Sequence, residues 1–374
     1  MKKKIFYFTN IFPDYRKELW KSLINSKAIN FHIFFSNQNY RGIGSKYLDS
    51  TFSKVEREKL HNIKHILFFK NIIWQRGIIN TILNKEYDSI ILLGDMKILS
   101  NWIAILICKL KGKEVCLWTH GIYGNENFFK MQLRILFLSL ADQIFLYENR
   151  AKNILLKKGF SENKLKVVFN SINLDEQTVA YKKQSTFVNK NEHNKIFSII
   201  FFGRLTRIKR VDILINAVIK LNTKDLSYKL SIIGDGPEKN NLLKIVKSLN
   251  AEKNIFFYNA TYSEDEIAKF FLNSDLLVSP GNVGLNAVHS LSYGTPVITH
   301  NKFENQMPEH EIIIESFNGL FFEYNNLESL EHKIQNWFSN HHNKRSREEL
   351  RNQLIKTYNP KFQTKIFENS LNNI

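Results

Sequence analysis

Residues 278–300 read "VSPGNVGLNAVHSLSYGTPVITH": an apolar strand end, a turn with two glycines, a helical run and a return to β-branched strand. The turn Pro280-Gly281-Asn282-Val283-Gly284 brings nearly bare backbone to the amino end of a helix expected over 284–293. Unpaired N–H groups and the helix dipole make such an end favourable for an anion. Gly294-Thr295-Pro296 then closes the helix, because glycine ends it and proline cannot continue it.

Two further strand-to-helix turns precede this one. Phe202-Gly203-Arg204 follows the run "IFSIIFF", and Lys209 stands five residues beyond Arg204, just before a helical pattern. A guanidinium fork and an ammonium point charge beside a glycine turn suit a diphosphate. A solvated basic loop is the competing reading, since Arg207 and Arg210 lie there too. Gly234-Asp235-Gly236-Pro237 is the other turn, and it lacks the full G-x-G-x-x-G spacing of a dinucleotide site. Turn geometry alone would explain its glycines. Three glycine turns in succession at strand ends point to a phosphate-bearing ligand.

Working outward, short apolar runs alternate with amphipathic helical patterns. Strands are expected at 4–9, 30–35, 64–69, 88–93, 114–119, 143–147 and 166–169, with helices that include 16–25, 73–85, 98–111 and 128–141. The polar stretch 181–195 breaks the rhythm and reads as a linker. Alternation then resumes with strands at 196–202, 228–234, 254–259, 275–280 and 296–300, and helices at 211–222, 238–249, 264–273, 284–293 and 327–338. Nearly continuous apolar strands separated by amphipathic helices predict parallel sheets covered on both faces. The expected class is α/β: two Rossmann-like, doubly wound domains facing across a cleft, at 1–180 and 196–358. A C-terminal helix over 359–374 is expected to pack back towards the first domain.

Composition bounds the rest. A chain of 374 residues is long for one core. Two cysteines, Cys108 and Cys116, are too few for a disulfide framework and lack metal-ligand spacing, which suits a reducing cytoplasm. A strand-like run follows Met1-Lys2-Lys3-Lys4, against a secretory leader, and the apolar stretches at 102–110 and 135–146 fall short of a membrane span. The net charge of +18 is concentrated early, with 28 Lys and Arg against 15 Asp and Glu in residues 1–180. Peripheral contact with anionic lipid at the inner face of a membrane is one reading, and compositional skew is the other. Nucleic acid is not an expected partner, because no helix-turn-helix, zinc-finger or RNP pattern is present.

Arg204 with Lys209, "IIGDGP" at 232–237 and "SPGNVGLNAVHSLSYGTPVI" at 279–298 together resemble the C-terminal domain of family 4 retaining glycosyltransferases, which have the GT-B fold. The likeness covers about residues 196–325. The first domain resembles the family more loosely, through its rhythm and through His120-Gly121 after the fifth strand. The resemblance implies that Arg204 and Lys209 hold and neutralise the donor diphosphate, with Gly203 in the same turn. It also implies that Gly284 and Leu285 bring backbone N–H groups to the phosphates, with Gly281, Asn282 and Val283 in the same donor-binding turn, and that His120 contacts the donor sugar. His120 as a buried structural histidine is the alternative.

The chain departs from the family pattern at two positions. Gly281 and His289 stand where that pattern has glutamates, one on the donor-sugar hydroxyls and one on the ribose. A carboxylate nucleophile at 281 is excluded. His289 either hydrogen-bonds a ribose hydroxyl or fills the helix face. Gln306 and Glu309 are candidates to supply the missing sugar contacts, with an ordinary acidic loop as the other reading.

The acceptor is expected on the first domain. Tyr15 and Arg16, in the first strand-to-helix turn, suit a sugar or a lipid-linked phosphate. A helix start with Pro13 near its first turn explains them equally. The stretch 39–46 and Tyr123, Asn125 and Glu126 are weaker acceptor candidates, and backbone around 258–262 is expected to read the base. With no D-x-D motif, neither a metal nor any other cofactor is expected; the nucleotide-diphosphate sugar is a donor substrate. The implied activity is sugar transfer, with retention, to a glycan or lipid-linked glycan in surface polysaccharide or lipopolysaccharide assembly. A nucleotide-sugar epimerase, a phosphorylase and a non-catalytic sugar-nucleotide-binding partner are the alternatives.

Overall fold

Phe6 and Phe8 point to one side of the first strand and Ile5 and Tyr7 to the other, and all four are buried. A side-chain period of two that is apolar on both faces requires cover on both faces. The computed structural model supplies it, describing residues 2–36, 51–68, 72–124, 126–187, 196–223 and 227–372. The chain forms two units, one of Met1–Asn173 with Tyr358–Ile374 and one of Leu174–Thr357.

The first unit contains β1 (Lys3–Phe8), β2 (Ile29–Phe35), β3 (Leu60–Asn62), β4 (Lys64–Phe68), β5 (Ile72–Arg76), β6 (Ser89–Leu93), β7 (Glu114–Thr119), β8 (Gln143–Leu146) and β9 (Leu165–Val167). Seven of these form one parallel sheet in the order β3-β2-β1-β6-β7-β8-β9. Phe6 and Phe8 share a core with Ile82, Ile105, Phe137 and Leu155. These come from the helices Ile78–Asn84, Leu99–Leu110, Phe128–Ser139 and Asn149–Lys157. Ile5 and Tyr7 pack with Trp20 of the helix Lys17–Ile24 and Phe367 of the helix Pro360–Asn372. The C-terminal helix is therefore part of the first unit's core.

The second unit contains β10 (Ile196–Phe202), β11 (Ser227–Ile233), β12 (Ile255–Tyr258), β13 (Leu276–Ser279), β14 (Val297–His300) and β15 (Gly319–Phe322). They form one parallel sheet in the order β12-β11-β10-β13-β14-β15. The winding direction reverses between β10 and β13. In open α/β sheets the crevice beyond such a switch point is where ligands bind.

The structure corrects several sequence expectations. The run expected as a parallel strand at 64–69 is β4, which pairs antiparallel with β5 outside the main sheet. The helix expected over 73–85 begins only at Ile78, because Ile72–Arg76 is strand and Gly77 ends it. The domain boundary expected at 180 falls inside the helix Leu174–Ser185, whose Leu174, Gln177 and Ala180 are buried. Residues 181–185 of the expected linker are thus helical, and 188–195 lie outside the described residues.

Candidate functional site

Three loops meet at the switch point of the second unit, those after β10 and β13 and the one after β14 that carries Gln306 and Glu309. The loop after β10 carries Gly203, Arg204 and a turn of 3-10 helix, Arg207–Lys209; the loop after β13 leads into the helix Leu285–Ser292. Lys209 joins them, its Nζ donating to the carbonyl oxygen of Asn282 at 2.6 Å and to Asn282 Oδ1 at 2.7 Å. Asn286 donates from Nδ2 to the Phe202 carbonyl. Arg204 is exposed, and its guanidinium has no protein partner among the described residues.

The helix Leu285–Ser292 begins without a side-chain cap. Gly284, at φ +53°, turns the chain into it in a conformation that β-carbon-bearing residues avoid. The Gly284 and Leu285 N–H groups meet no acceptor among the described residues. Two donors free among the described residues, the dipole of the helix and a fixed ammonium suit an anion, and the exposed Arg204 lies in the adjoining loop after β10. Burial pushes the Lys209 ammonium down to about 8, against the opposing pull of the Glu309 carboxylate.

Gly281 has a role that its missing side chain did not reveal. A Cβ there would fall 2.0 Å from the Ile208 carbonyl oxygen and 2.7 Å from Lys209 Cα. Its N–H donates to the Lys209 carbonyl at 3.0 Å. The loop after β13 is pressed on the backbone that carries Lys209, so any side chain would part them. Gly281 is thus a packing position and not a sugar contact.

Gln306 is also corrected. Its Oε1 accepts from Val283 N–H at 2.9 Å, and its Nε2 donates to Thr299 Oγ1 at 2.8 Å and to the His300 carbonyl at 3.0 Å. Both amide protons are used within the unit, so Gln306 braces the loop after β13 and has no proton left to donate to a sugar. The same bond removes the Val283 N–H from the phosphate donors. Glu309 is buried on the 3-10 segment Pro308–Ile312, near enough to Lys209 to favour its charged form.

His289 sits on the inner side of the helix Leu285–Ser292, its ring centroid 6.3 Å from that of Phe202. Gln177 Nε2 lies 2.8 Å from His289 Nδ1 and, oriented as a donor, makes Nδ1 the acceptor and Nε2 the protonated nitrogen. Burial lowers the imidazolium to about 4, so the ring is neutral at pH 7. A neutral imidazole with Nε2–H free of protein partners is a hydrogen-bond donor. The sequence passed over Gln177 because it lies in the stretch between the two strand rhythms.

In the first unit, His120 follows β7, its ring stacked on Tyr147 with centroids 4.5 Å apart. Its Nδ1 is buried without a hydrogen-bond partner among the described residues. Burial, aided by Arg16 and Arg134, lowers its imidazolium to about 4. Arg16 departs from its expected acceptor role. It is buried, donates from Nε and Nη2 to Asn170 Oδ1 and from Nη2 to Tyr147 Oη, and lies over the Trp118 ring. It ties the loops after β1, β8 and β9 together and props the Tyr147 ring that stacks on His120. Tyr15 is half-buried, beside the Arg16 guanidinium.

Glu126 accepts from the N–H groups of Tyr123 and Gly124 and pairs with Arg134 at 3.2 Å, so it staples its own loop. Residues 39–46 and Asn125 lie outside the described residues. Tyr262 is 94% exposed and Tyr258 40% exposed beside the donor loops.

Comparison with solved structures bears on this geometry. The chain superimposes on a lipopolysaccharide outer core galactosyltransferase, WaaB, in its apo form, at a TM-score of 0.71 over 98% of this chain and 99% of that one, with 16% identity. The Anabaena protein Alr3699/HepE in complex with UDP gives 0.70 over 100% of both chains at 12% identity. The fold is GT-B.

Within that GT-B chain, residues 182–357 match the family model described as "Glycosyl transferases group 1". A Klebsiella pneumoniae relative described as an uncharacterized 41.2 kDa protein in the cps region is 34% identical over 147 residues. That alignment covers 38% of each chain, well short of the relative's full length. The matched family segment contains the three GT-B loops described above, from Gly203 to Glu309.

Proposed function

We propose that the protein is a retaining glycosyltransferase that moves a sugar from a nucleotide-diphosphate donor to a hydroxyl of a glycan or lipid-linked glycan during surface polysaccharide or lipopolysaccharide assembly. The observation that carries this reading is the cradle at the β10/β13 switch point. Lys209 is fixed on Asn282, and among the described residues Arg204 in the same loop has no partner and the Gly284 and Leu285 N–H groups have no acceptor.

Those groups suit a diphosphate that gains charge as the glycosidic C–O bond breaks. Arg204, Lys209 and the helix end balance that charge without a metal, as donors in an oxyanion hole do. The acceptor oxygen bonds to the anomeric carbon on the face the diphosphate leaves, and its proton passes to a diphosphate oxygen. Configuration is retained with no carboxylate nucleophile, consistent with Gly281. His289, held by Gln177, donates to a ribose hydroxyl. His120 serves the donor sugar, Glu309 acts through Lys209, and peripheral contact with an anionic membrane at the cytoplasmic face belongs to the same reading.

The test is thermal unfolding of the purified chain with UDP, GDP, ADP and dTDP and their sugars. A ligand that binds only the folded state raises stability, by about 2.7 kcal/mol at a hundred times its Kd. One nucleotide class should raise the midpoint, and Arg204→Ala with Lys209→Ala should abolish the rise. A flat response across the panel would overturn the donor-site reading.

A further inference from the structure

Two neighbouring helices of the first unit are apolar on the side that faces water. The helix Leu99–Leu110 turns Ser100, Asn101, Ala104, Ile105 and Cys108 inward. It leaves Leu99, Ile103, Leu106 and Leu110 exposed, the last at 88%. Spacings of four, three and four residues align these side chains in one stripe. The helix Phe128–Ser139 repeats the arrangement with Phe129, Leu133 and Leu136, Phe129 being 84% exposed.

Trp102 and Phe137, with ring centroids 4.8 Å apart, pack the two helices side by side. Both cover the same face of the sheet, where they share the core of Phe6 and Phe8. The stripes thus lie next to each other on one outer surface. A contiguous apolar surface of this kind on an otherwise charged protein marks an interaction site.

Charge identifies the occupant. The first unit has 30 Lys and Arg against 14 Asp and Glu, and the second has 23 against 21. Lys97 precedes the first stripe, Lys111 and Lys113 follow it, and Lys130 lies on the second helix. Of the acids nearby, Asp142 pairs with Lys109 and Glu126 with Arg134, while Asp95 and Glu114 stand beside Lys97 and Lys113 and leave the unit's balance strongly cationic. A second copy would set two strongly cationic units against each other, whereas anionic headgroups neutralise them. No helix among the described residues is long and apolar enough to cross a membrane, so the fit is to a bilayer surface.

We propose that the face formed by Leu99, Ile103, Leu106, Leu110, Phe129, Leu133 and Leu136 docks on an anionic lipid bilayer. The apolar side chains enter the boundary between headgroups and acyl chains, and the flanking lysines meet headgroup phosphates. The surface deepens the reading of a lipid-linked acceptor, yet its test is independent of the donor site.

Flotation of the full chain with vesicles of phosphatidylcholine and phosphatidylglycerol in equal parts, and of phosphatidylcholine alone, provides that test. Binding is expected to the mixed vesicles. It should fall at least about tenfold in Leu106→Glu/Phe129→Glu and several-fold in Lys97→Glu/Lys130→Glu, with thermal unfolding and the nucleotide response unchanged. Wild-type protein that stays out of the mixed vesicles, or a Leu106→Glu/Phe129→Glu variant that floats like wild type, would overturn the proposal. So would a lipid-free wild-type dimer that this variant converts to monomer, since a second copy would then cover the face. A flat nucleotide response with vesicle binding intact would instead refute the transferase reading and leave the surface standing.

Discussion

Gly281→Ala tests the close approach of the two phosphate-binding loops. The new Cβ would lie 2.0 Å from the Ile208 carbonyl oxygen, and relief to an ordinary carbon–oxygen contact of about 3.3 Å requires the loops to part by roughly 1.3 Å. Overpacking of a close-packed site costs about 1–3 kcal/mol, and rigid backbone on the far side places this site at the upper end. For a unit the size of Leu174–Thr357 that loss corresponds to a drop of about 6–12 °C in Tm. The parting also breaks the hydrogen bond from Gly281 N–H to Lys209 and moves the ammonium off its Asn282 seat. A displacement of about 1 Å at a positioned group can cost 10²-fold in rate. Differential scanning calorimetry and a donor-hydrolysis or transfer assay read the two effects. Gly281→Glu, which restores the family's side chain, should be at least as damaging. A Gly281→Ala protein that melts within about 1 °C of wild type and keeps full nucleotide affinity would refute the packing argument.

Three further outcomes follow from the same geometry. The Lys209 ammonium, lowered to about 8 by burial, is charged below that pH, so affinity for the nucleotide diphosphate should fall as pH rises through about 8; calorimetric titration should find that dependence lost in Lys209→Met. His289→Ala should weaken nucleotide binding about tenfold, as expected for one hydrogen bond, and Gln177→Leu should weaken it less by freeing the ring, with no change for either refuting the ribose contact. His120, His289 and His300 are held by burial near 4 but titrate near 6.5 when unfolded, so the unfolded chain binds more protons in between and stability falls as pH drops from about 6.5 towards 4. Each contributes up to about 2 kcal/mol of that loss at pH 5, and denaturant unfolding at pH 7 and pH 5 measures it.

The second unit's strands were legible where β-rich runs end in a glycine turn, so composition and punctuation agree at β10, β11 and β13. The β4–β5 hairpin was not. Ile72–Arg76 has the residues of a strand and continues into helical ones, and no local signal places the change at Gly77. Among site residues, chemistry that depends on backbone was readable, as with Gly284 and the helix it opens. Side-chain assignments failed where partners come from distant segments. Arg16 looked like a ligand group until Asn170 and Tyr147, more than a hundred positions away, were seen to hold it. Gln306 looked like a sugar contact until Thr299 and His300 were found to take both its amide protons and Val283 to donate to its oxygen.

The glycine at 281 and the burial of Lys209 have a common physical basis. A carboxylate on the loop after β13 needs space between that loop and the one after β10; here the space is closed, and the backbone of Ile208 and Lys209 fills it. Closure buries Lys209, which raises the cost of its charge, and Glu309, from the segment after β14, partly offsets that cost. No side chain fits at position 281, and the Glu309 carboxylate stands where it supports a cation. His289, neutral at pH 7 and held by Gln177, adds no negative charge beside them. A cradle with fewer negative charges repels a diphosphate less, so this arrangement should bind the free nucleotide diphosphate tightly relative to the intact donor. Comparing affinities for a nucleotide diphosphate and its sugar conjugate decides the point: at least equal affinity for the diphosphate is expected, and a donor preference of tenfold or more, about 1.4 kcal/mol, would refute the reasoning.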